Sequence, residues 1–182
     1  LQPDIVVFTG DLLDIDPRYL HQQAFFLKGI KCRYKYAVSG NHDFYLGYDL
    51  FVNFLDDSGF ELLDFQSRSL RFSDQQFVKI IGLPDDVLND QKTNSFIEKN
   101  VQNVKDTYYI LLRHKPVFFT QSVDRGVDFQ LSGHTHHGQL PPFNFLVRLF
   151  FRFSHGLYRY KKSVIHTSPG TSTWGPPMRL FS

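Results

Sequence analysis

Three histidines within four positions, in Leu131-Ser132-Gly133-His134-Thr135-His136-His137-Gly138-Gln139, form the sequence's densest cluster of metal-seeking side chains. Neutral imidazole suits zinc, iron, manganese and nickel, and a ligating ring usually gives its other N–H to an acceptor that fixes the tautomer. If the backbone is extended here, the period of two sends His134 and His136 to one side and His137 to the other. A histidine-rich surface loop would carry the same letters, so the reading depends on company. Upstream stand Asp11, Asn41 with His42, and His114. Singly, Asp11 reads more readily as a helix-entry residue, Asn41 as a turn former and His114 as a satisfied core histidine. Together they supply one carboxylate, one amide and several imidazoles. A carboxylate can bridge two cations, the neutral groups complete the shells, and two metals about 3.5–4 Å apart can clamp an in-line displacement at phosphorus. The chemistry is cleavage of a phosphate ester.

The elements around these residues read as α/β. Asp4 to Phe8, Tyr34 to Ser39, Tyr108 to Leu112 and Val127 to Leu131 look like buried strands, and each hands over candidate ligands at its carboxyl end. Open α/β sheets place their sites there, where successive loops converge. Asp16 with Pro17 reads as an N-cap and first helical position, opening a helix to about Leu27 that Gly29 closes. A second helix from Gly47 to Ser58 puts Phe51, Phe54, Leu55 and Ser58 on one face and stops at Gly59. Further strands are expected at 60–63, 69–72, 77–81, 156–160 and 163–167, and a polar helix at 94–104. Cys32 is expected to be a buried strand residue.

At 182 residues the chain fits one domain, 1–182, with enough length for a substantial core. A single cysteine excludes an internal disulfide framework. Every acidic residue lies at or before Asp128, so the last 54 residues, with Arg148, Arg152, Arg159, Lys161, Lys162 and Arg179, carry +6 against −4 for the rest. That asymmetry points to an anionic partner at one end. No apolar run approaches the roughly 20 residues of a membrane span and the N-terminus does not resemble a signal peptide, so the expectation is a soluble or peripheral protein.

Gly10-Asp11-Leu12-Leu13-Asp14, Gly40-Asn41-His42-Asp43, His114 and Gly133-His134-Thr135-His136 resemble, in that order, the motifs of the calcineurin-like metallophosphoesterases. Pro3-Asp4, Gly138-Gln139, Gly156-Leu157-Tyr158 and Gly170-Thr171 before Pro177-Met178-Arg179 resemble the bacterial membrane-associated branch, which includes UDP-2,3-diacylglucosamine hydrolases and cell-envelope phosphodiesterases. The resemblance implies a layered α/β/β/α sandwich and a divalent metal site for manganese, zinc or iron. It makes Asp11 the bridging carboxylate, assigns Asn41, His114 and His134 to one metal and gives His136 to the other. It casts His42 as the catalytic residue that contacts the phosphate or protonates the leaving oxygen, with Asp43 orienting it and Asp14 supporting the loop. A metal-bound hydroxide would attack a phosphodiester or pyrophosphate, on a lipid-linked or nucleotide-lipid substrate. The family begins one strand earlier, with an Asp-x-His motif for the second metal. This chain therefore reads as N-terminally truncated, with one tight metal and a weak second, and the alternative function is a non-catalytic homologue keeping the fold and one metal. His137 and Arg113 depart from the branch pattern.

Residues 143–162 interleave aromatic and aliphatic side chains with arginine and lysine. An amphipathic helix of this kind can rest on an anionic membrane surface, and an ordinary buried helix is the competing reading. Nucleic acid ranks below lipid, because no helix-turn-helix or glycine-rich RNA-binding pattern accompanies the charge. The expected setting is peripheral membrane or cytoplasmic in a bacterium.

Overall fold

The computed structural model describes residues 2–13, 17–45, 47–85, 90–171, 173 and 178–180. Two sheets face each other. The first is parallel, in the order β1 (Ile5–Phe8), β2 (Tyr34–Ala37), β3 (Glu61–Leu62). The second is mixed and contains β4 (Ser67–Arg71), β5 (Phe77–Leu83), β6 (Thr107–Arg113), β7 (Phe129–Ser132), β9 (Ser163–Thr167) and β8 (Gly156–Tyr160), in that spatial order. β5, β6, β7 and β9 run parallel, while β4 and β8 are antiparallel edges.

The period of two sorts the core into layers. On β2 and its extension, Tyr36 and Val38 point at the second sheet, where Leu70, Ile80 and Leu112 meet them. Ala37, between them, faces outward with Leu20 and Ala24 of α1 (Leu20–Lys28) and Phe51, Phe54 and Leu55 of α2 (Tyr48–Ser58). On the far side Ile81, Leu83 and Leu111 pack against Ile97 of α3 (Asp90–Asn100). Ile165 of β9 joins Phe119 and Val123 of α4 (Phe119–Asp124). The order of layers is helices, sheet, sheet, helices, as the resemblance implies.

Several local expectations hold. Phe51, Phe54, Leu55 and Ser58 are the buried residues of α2, and Gly59 ends it in a left-handed conformation at φ 77°. Others need correction. α3 begins and ends four residues before the expected 94–104: Thr93, Ile97 and, just past its end, Val101 are buried, whereas Val104 is exposed. α4 was not expected: it has six residues and starts after Phe118 at φ 61°, too short for a periodic signal. Cys32 lies in the loop before β2, half-buried, with its Sγ 3.5 Å from the Tyr34 carbonyl. The Asp16 cap and the supporting role of Asp14 lie outside the described residues, as does Pro177.

Candidate metal centre

Asp11, Asn41, His114 and His134 all follow strands, and these strands come in equal number from the two sheets. Asp11 follows β1 and Asn41 follows β2; His114 follows β6 and His134 follows β7. The site lies where the carboxyl ends of the two sheets meet.

The loops from the first sheet approach at backbone distance. A Cβ on Gly10 would stand 2.6 Å from the Gly40 nitrogen and 2.7 Å from His114 Nδ1, and one on Gly40 would stand 2.2 Å from Asp11 Oδ1. Only glycine fits both positions. The buried Asp43 carboxylate ties these loops together: it accepts from the N–H groups of Asp11 (2.9 Å), Leu12 (2.9 Å), Leu13 (3.0 Å) and Gly40 (2.7 Å). Burial pushes its carboxyl up against the pull of these donors. These four contacts all go to backbone, so Asp43 shapes the ligand loops.

Asp11, at φ 56°, accepts through Oδ1 from the His42 N–H at 2.9 Å and turns Oδ2 to His114 Nε2, also at 2.9 Å. His114 Nδ1 lies 2.7 Å from the Thr9 carbonyl. A carbonyl only accepts, so Nδ1 carries a proton and Nε2 is the nitrogen turned to the site, donating to Asp11 when the ring is protonated and free to offer its lone pair to a cation when the ring is neutral. His134 Nδ1 stands 3.0 Å from that same Nε2. One ligand atom each from Asp11, His114 and His134 thus fall within 4.8 Å of one another.

Three acceptors facing one another repel unless a proton or a cation lies between them. With bonds of about 2.1 Å, neighbouring ligand atoms around one ion stand about 3.0–3.4 Å apart, which matches these contacts. Two more acceptors support a cation. Asn41 Oδ1 and His136 Nδ1 are buried and have no hydrogen-bond partner among the described residues. Such orphans are costly unless something compensates them. The residues therefore fit divalent metal.

Titration behaviour agrees. Burial, aided by the positive charges of His114 and Lys115, holds His134 down at about 3, so its ring stays a neutral lone-pair donor. Burial and then Arg179 also lower His136. Burial alone would depress His114, but the Asp11 carboxylate and the Thr9 carbonyl outweigh it and raise the ring. Burial would raise Asp11, and His114 and His42 reverse this to a lowered carboxyl.

The extended backbone expected for the histidine cluster is not what forms. β7 ends at Ser132, His134 takes φ 70°, and a 3-10 turn covers His136–Gly138 with further positive φ at His136 and His137. Non-glycine residues held in this region mark a backbone over-determined by its surroundings. His134 and His136 still line one cleft of about 510 Å³ with Asp11 and His114, but the turn, not a strand's alternation, directs them. His137 is buried and stacks on His155 at 4.0 Å. Arg113 is buried against the Phe118 ring at 4.5 Å. His42 is half-buried, its ring 5.1 Å from that of Tyr45. Sequence reasoning missed the Thr9 carbonyl, which no side-chain letter could announce, and Phe151, whose ring meets His134 edge-on at 5.3 Å.

A mixed two-sheet sandwich with carboxylate, amide and imidazole acceptors gathered at its strand ends is the architecture of a metal-dependent phosphoesterase. Residues 1–138 match the model of the calcineurin-like phosphoesterases, and the chain belongs to that family. It is 34% identical to a metallophosphoesterase of Aquifex aeolicus, described as uncharacterized, over all of this chain and 70% of that one. It is 30% identical to a bovine protein named a transmembrane protein with metallophosphoesterase domain, over all of this chain and 44% of that one. The NAD nucleotidase of Haemophilus influenzae shares the fold, with a TM-score of 0.60 at 13% identity over 90% of this chain and 35% of that one. The chain thus spans less than half of the bovine relative. Among the described residues no helix is long and apolar enough to cross a membrane.

Proposed function

We propose that the chain hydrolyses a phosphate ester, either a phosphodiester or a pyrophosphate link, with divalent metal held by Asp11, Asn41, His114, His134 and His136. The observation that carries this reading is the convergence of the Asp11 carboxylate with the His114 and His134 rings, three groups able to ligate one cation, at the ends of strands from both sheets. Bound divalent cations supply positive charge to the phosphoryl oxygens and make water acidic enough to serve as nucleophile near neutral pH. The chain's own residues do the rest. The Thr9 carbonyl holds the His114 tautomer, Asp43 holds the loops of Asp11 and Asn41, and depressed basicity keeps His134 and His136 unprotonated. In this reading His42, next to Asn41 and bonded through its backbone N–H to Asp11, gives a proton to the leaving oxygen or holds a phosphoryl oxygen. In this reading Asp11, Asn41, His114 and His134 make one tight site of manganese, zinc or iron type, and His136 contributes to a weaker second one.

The substrate in this reading is amphiphilic, a lipid-linked or nucleotide-lipid phosphate met at a membrane surface. The bovine relative's name and the solvent-facing apolar side chains after the histidine turn support it. The test is hydrolysis of bis(p-nitrophenyl) phosphate by chelator-treated protein to which manganese or zinc is returned. Turnover should appear with metal and vanish in His134→Ala; metal uptake without turnover on this or any aryl ester would favour a non-catalytic homologue.

A further inference from the structure

We propose that α5 (Phe143–Phe150) is a docking element that lays the mouth of the metal site on an anionic lipid surface. The helix is amphipathic the wrong way round for a globular protein. None of its residues is buried. Phe145 is 63% exposed, Leu149 79% and Phe150 81%, with Phe143 and Leu146 also exposed. At 100° per residue Phe145, Leu146 and Leu149 occupy the side opposite Asn144 and Val147, the two residues that are half-buried, while Phe143 and Phe150 flank Val147 and are exposed all the same. The polar Asn144 faces the protein and the phenyl rings face solvent. Nothing in the core requires that orientation.

The helix is fixed to the metal centre. The backbone of Phe143 and Asn144 runs so close to Gly138, at φ 70°, that a Cβ there would stand 2.4 Å from the Asn144 nitrogen. At the other end Phe151, the residue that stops the helix, packs on the His134 ring. A surface engaged by α5 is therefore held beside the ligand loop.

Charge selects the occupant. Arg148, Arg152 and Arg159 are exposed and make no ion pair among the described residues. Lys161 and Lys162, by contrast, are paired with Asp124 at 2.6 Å and Asp128 at 3.7 Å, so the exposed basic groups on and just after the helix are Arg148 and Arg152, the latter lying over the Phe153 ring at 5.4 Å. No acidic residue follows Asp128 to oppose it. A second copy of this face would bring arginine against arginine. A helix of eight residues, about 12 Å long, also offers far less than the roughly 1,200–2,000 Å² of a stable protein interface. A bilayer asks for no shape complementarity and adds electrostatic attraction to whatever apolar area is buried: apolar side chains enter the headgroup–acyl boundary while arginines stay among anionic headgroups.

The test is co-sedimentation of the chain with vesicles of phosphatidylcholine containing phosphatidylserine, compared with phosphatidylcholine alone. Because binding is the readout, loss of catalysis at the metal centre leaves the result untouched, and failure here leaves the hydrolytic reading standing. Binding should require phosphatidylserine and weaken with salt. Arg148→Glu with Arg152→Glu should reduce it by more than tenfold. Leu149→Ser with Phe150→Ser should reduce it at least as much, with the thermal midpoint unchanged, since neither side chain is packed. Leu149→Trp should gain fluorescence that brominated lipid quenches beyond any quenching of the unsubstituted protein. Absence of binding to either vesicle, or binding that survives both double substitutions, would overturn the proposal. So would a concentration-dependent dimer that Leu149→Ser with Phe150→Ser abolishes, which would assign the face to a second copy.

Discussion

The metal centre and α5 stand side by side and break the burial rule in opposite directions. At the centre, acceptors that belong in water or against donors are withdrawn from both: Asn41 Oδ1 and His136 Nδ1 are buried without a partner among the described residues, and Asp11, His114 and His134 face one another. On α5, phenyl rings that belong in a core are left in solvent. Each is unfavourable alone, by about 1–3 kcal/mol for an unsatisfied buried polar group and about 1.5–3 kcal/mol for an aromatic or aliphatic side chain left unburied. The lesson is that such mismatches define their missing complements. Lone pairs turned inward call for a cation, and apolar side chains turned outward beside exposed arginines call for an anionic amphiphile.

Substitutions that separate the two regions sharpen the contrast. The largest effect is expected at His42. His42→Ala should keep metal but lose about 10²–10⁴-fold in turnover on alkyl phosphodiesters, the usual contribution of general acid catalysis, and lose less on an aryl ester whose leaving group needs no proton. Equal losses on both, in steady-state kinetics, would make His42 a phosphate-positioning residue. Next is Asp43→Asn, which sets an amide NH₂ among four backbone donors. Chemical denaturation should show a loss of about 2–4 kcal/mol, with weakened metal binding although Asp43 is not a ligand. Gly40→Ala, whose methyl would collide with the Asp11 carboxylate, should cost about 1–3 kcal/mol and lower metal affinity with it.

A smaller effect is expected in the pH dependence of the metal-free protein. The unfolded chain takes up a proton at His134 near 6.5, whereas the native ring resists until about 3, so the unfolded state binds more protons across that interval. His134 therefore withdraws stability as pH falls from 6.5 toward 3. His136 acts in the same sense, while the raised His114 acts oppositely, its contribution being present below 6.5 and lost as pH rises through its elevated value. The thermal midpoint of the wild-type protein should consequently fall more steeply over this acid range than that of His134→Gln. Equal slopes would show that His134 is not held neutral by its burial.

How legible the site was depended on whether a letter or a shape carried the information. Strand runs ending in Asp11, Asn41, His114 and His134 were visible because buried parallel strands are apolar and the residues after them are not. α2 was visible because its apolar spacing and Gly59 agree. The conformation of the histidine turn was not, since positive φ at His134, His136 and His137 comes from tertiary crowding beside Thr9 and α5 and opposes the local preference of these residues. The backbone contacts of Asp43 were not legible for a related reason: proximity in sequence pointed to His42, while folding brought the backbone of Asp11, Leu12 and Leu13 within reach. The composition of α5 was plain, but its inverted orientation depends on how Gly138 admits the helix and could only be seen in three dimensions.

Calorimetric titration of manganese into chelator-treated protein tests the central claim most directly. One tight site per chain is predicted, absent in His134→Ala and in Asp11→Asn but unchanged in Arg148→Glu with Arg152→Glu. The absence of any tight site, or one that persists undiminished when both Asp11 and His134 are replaced, would contradict it.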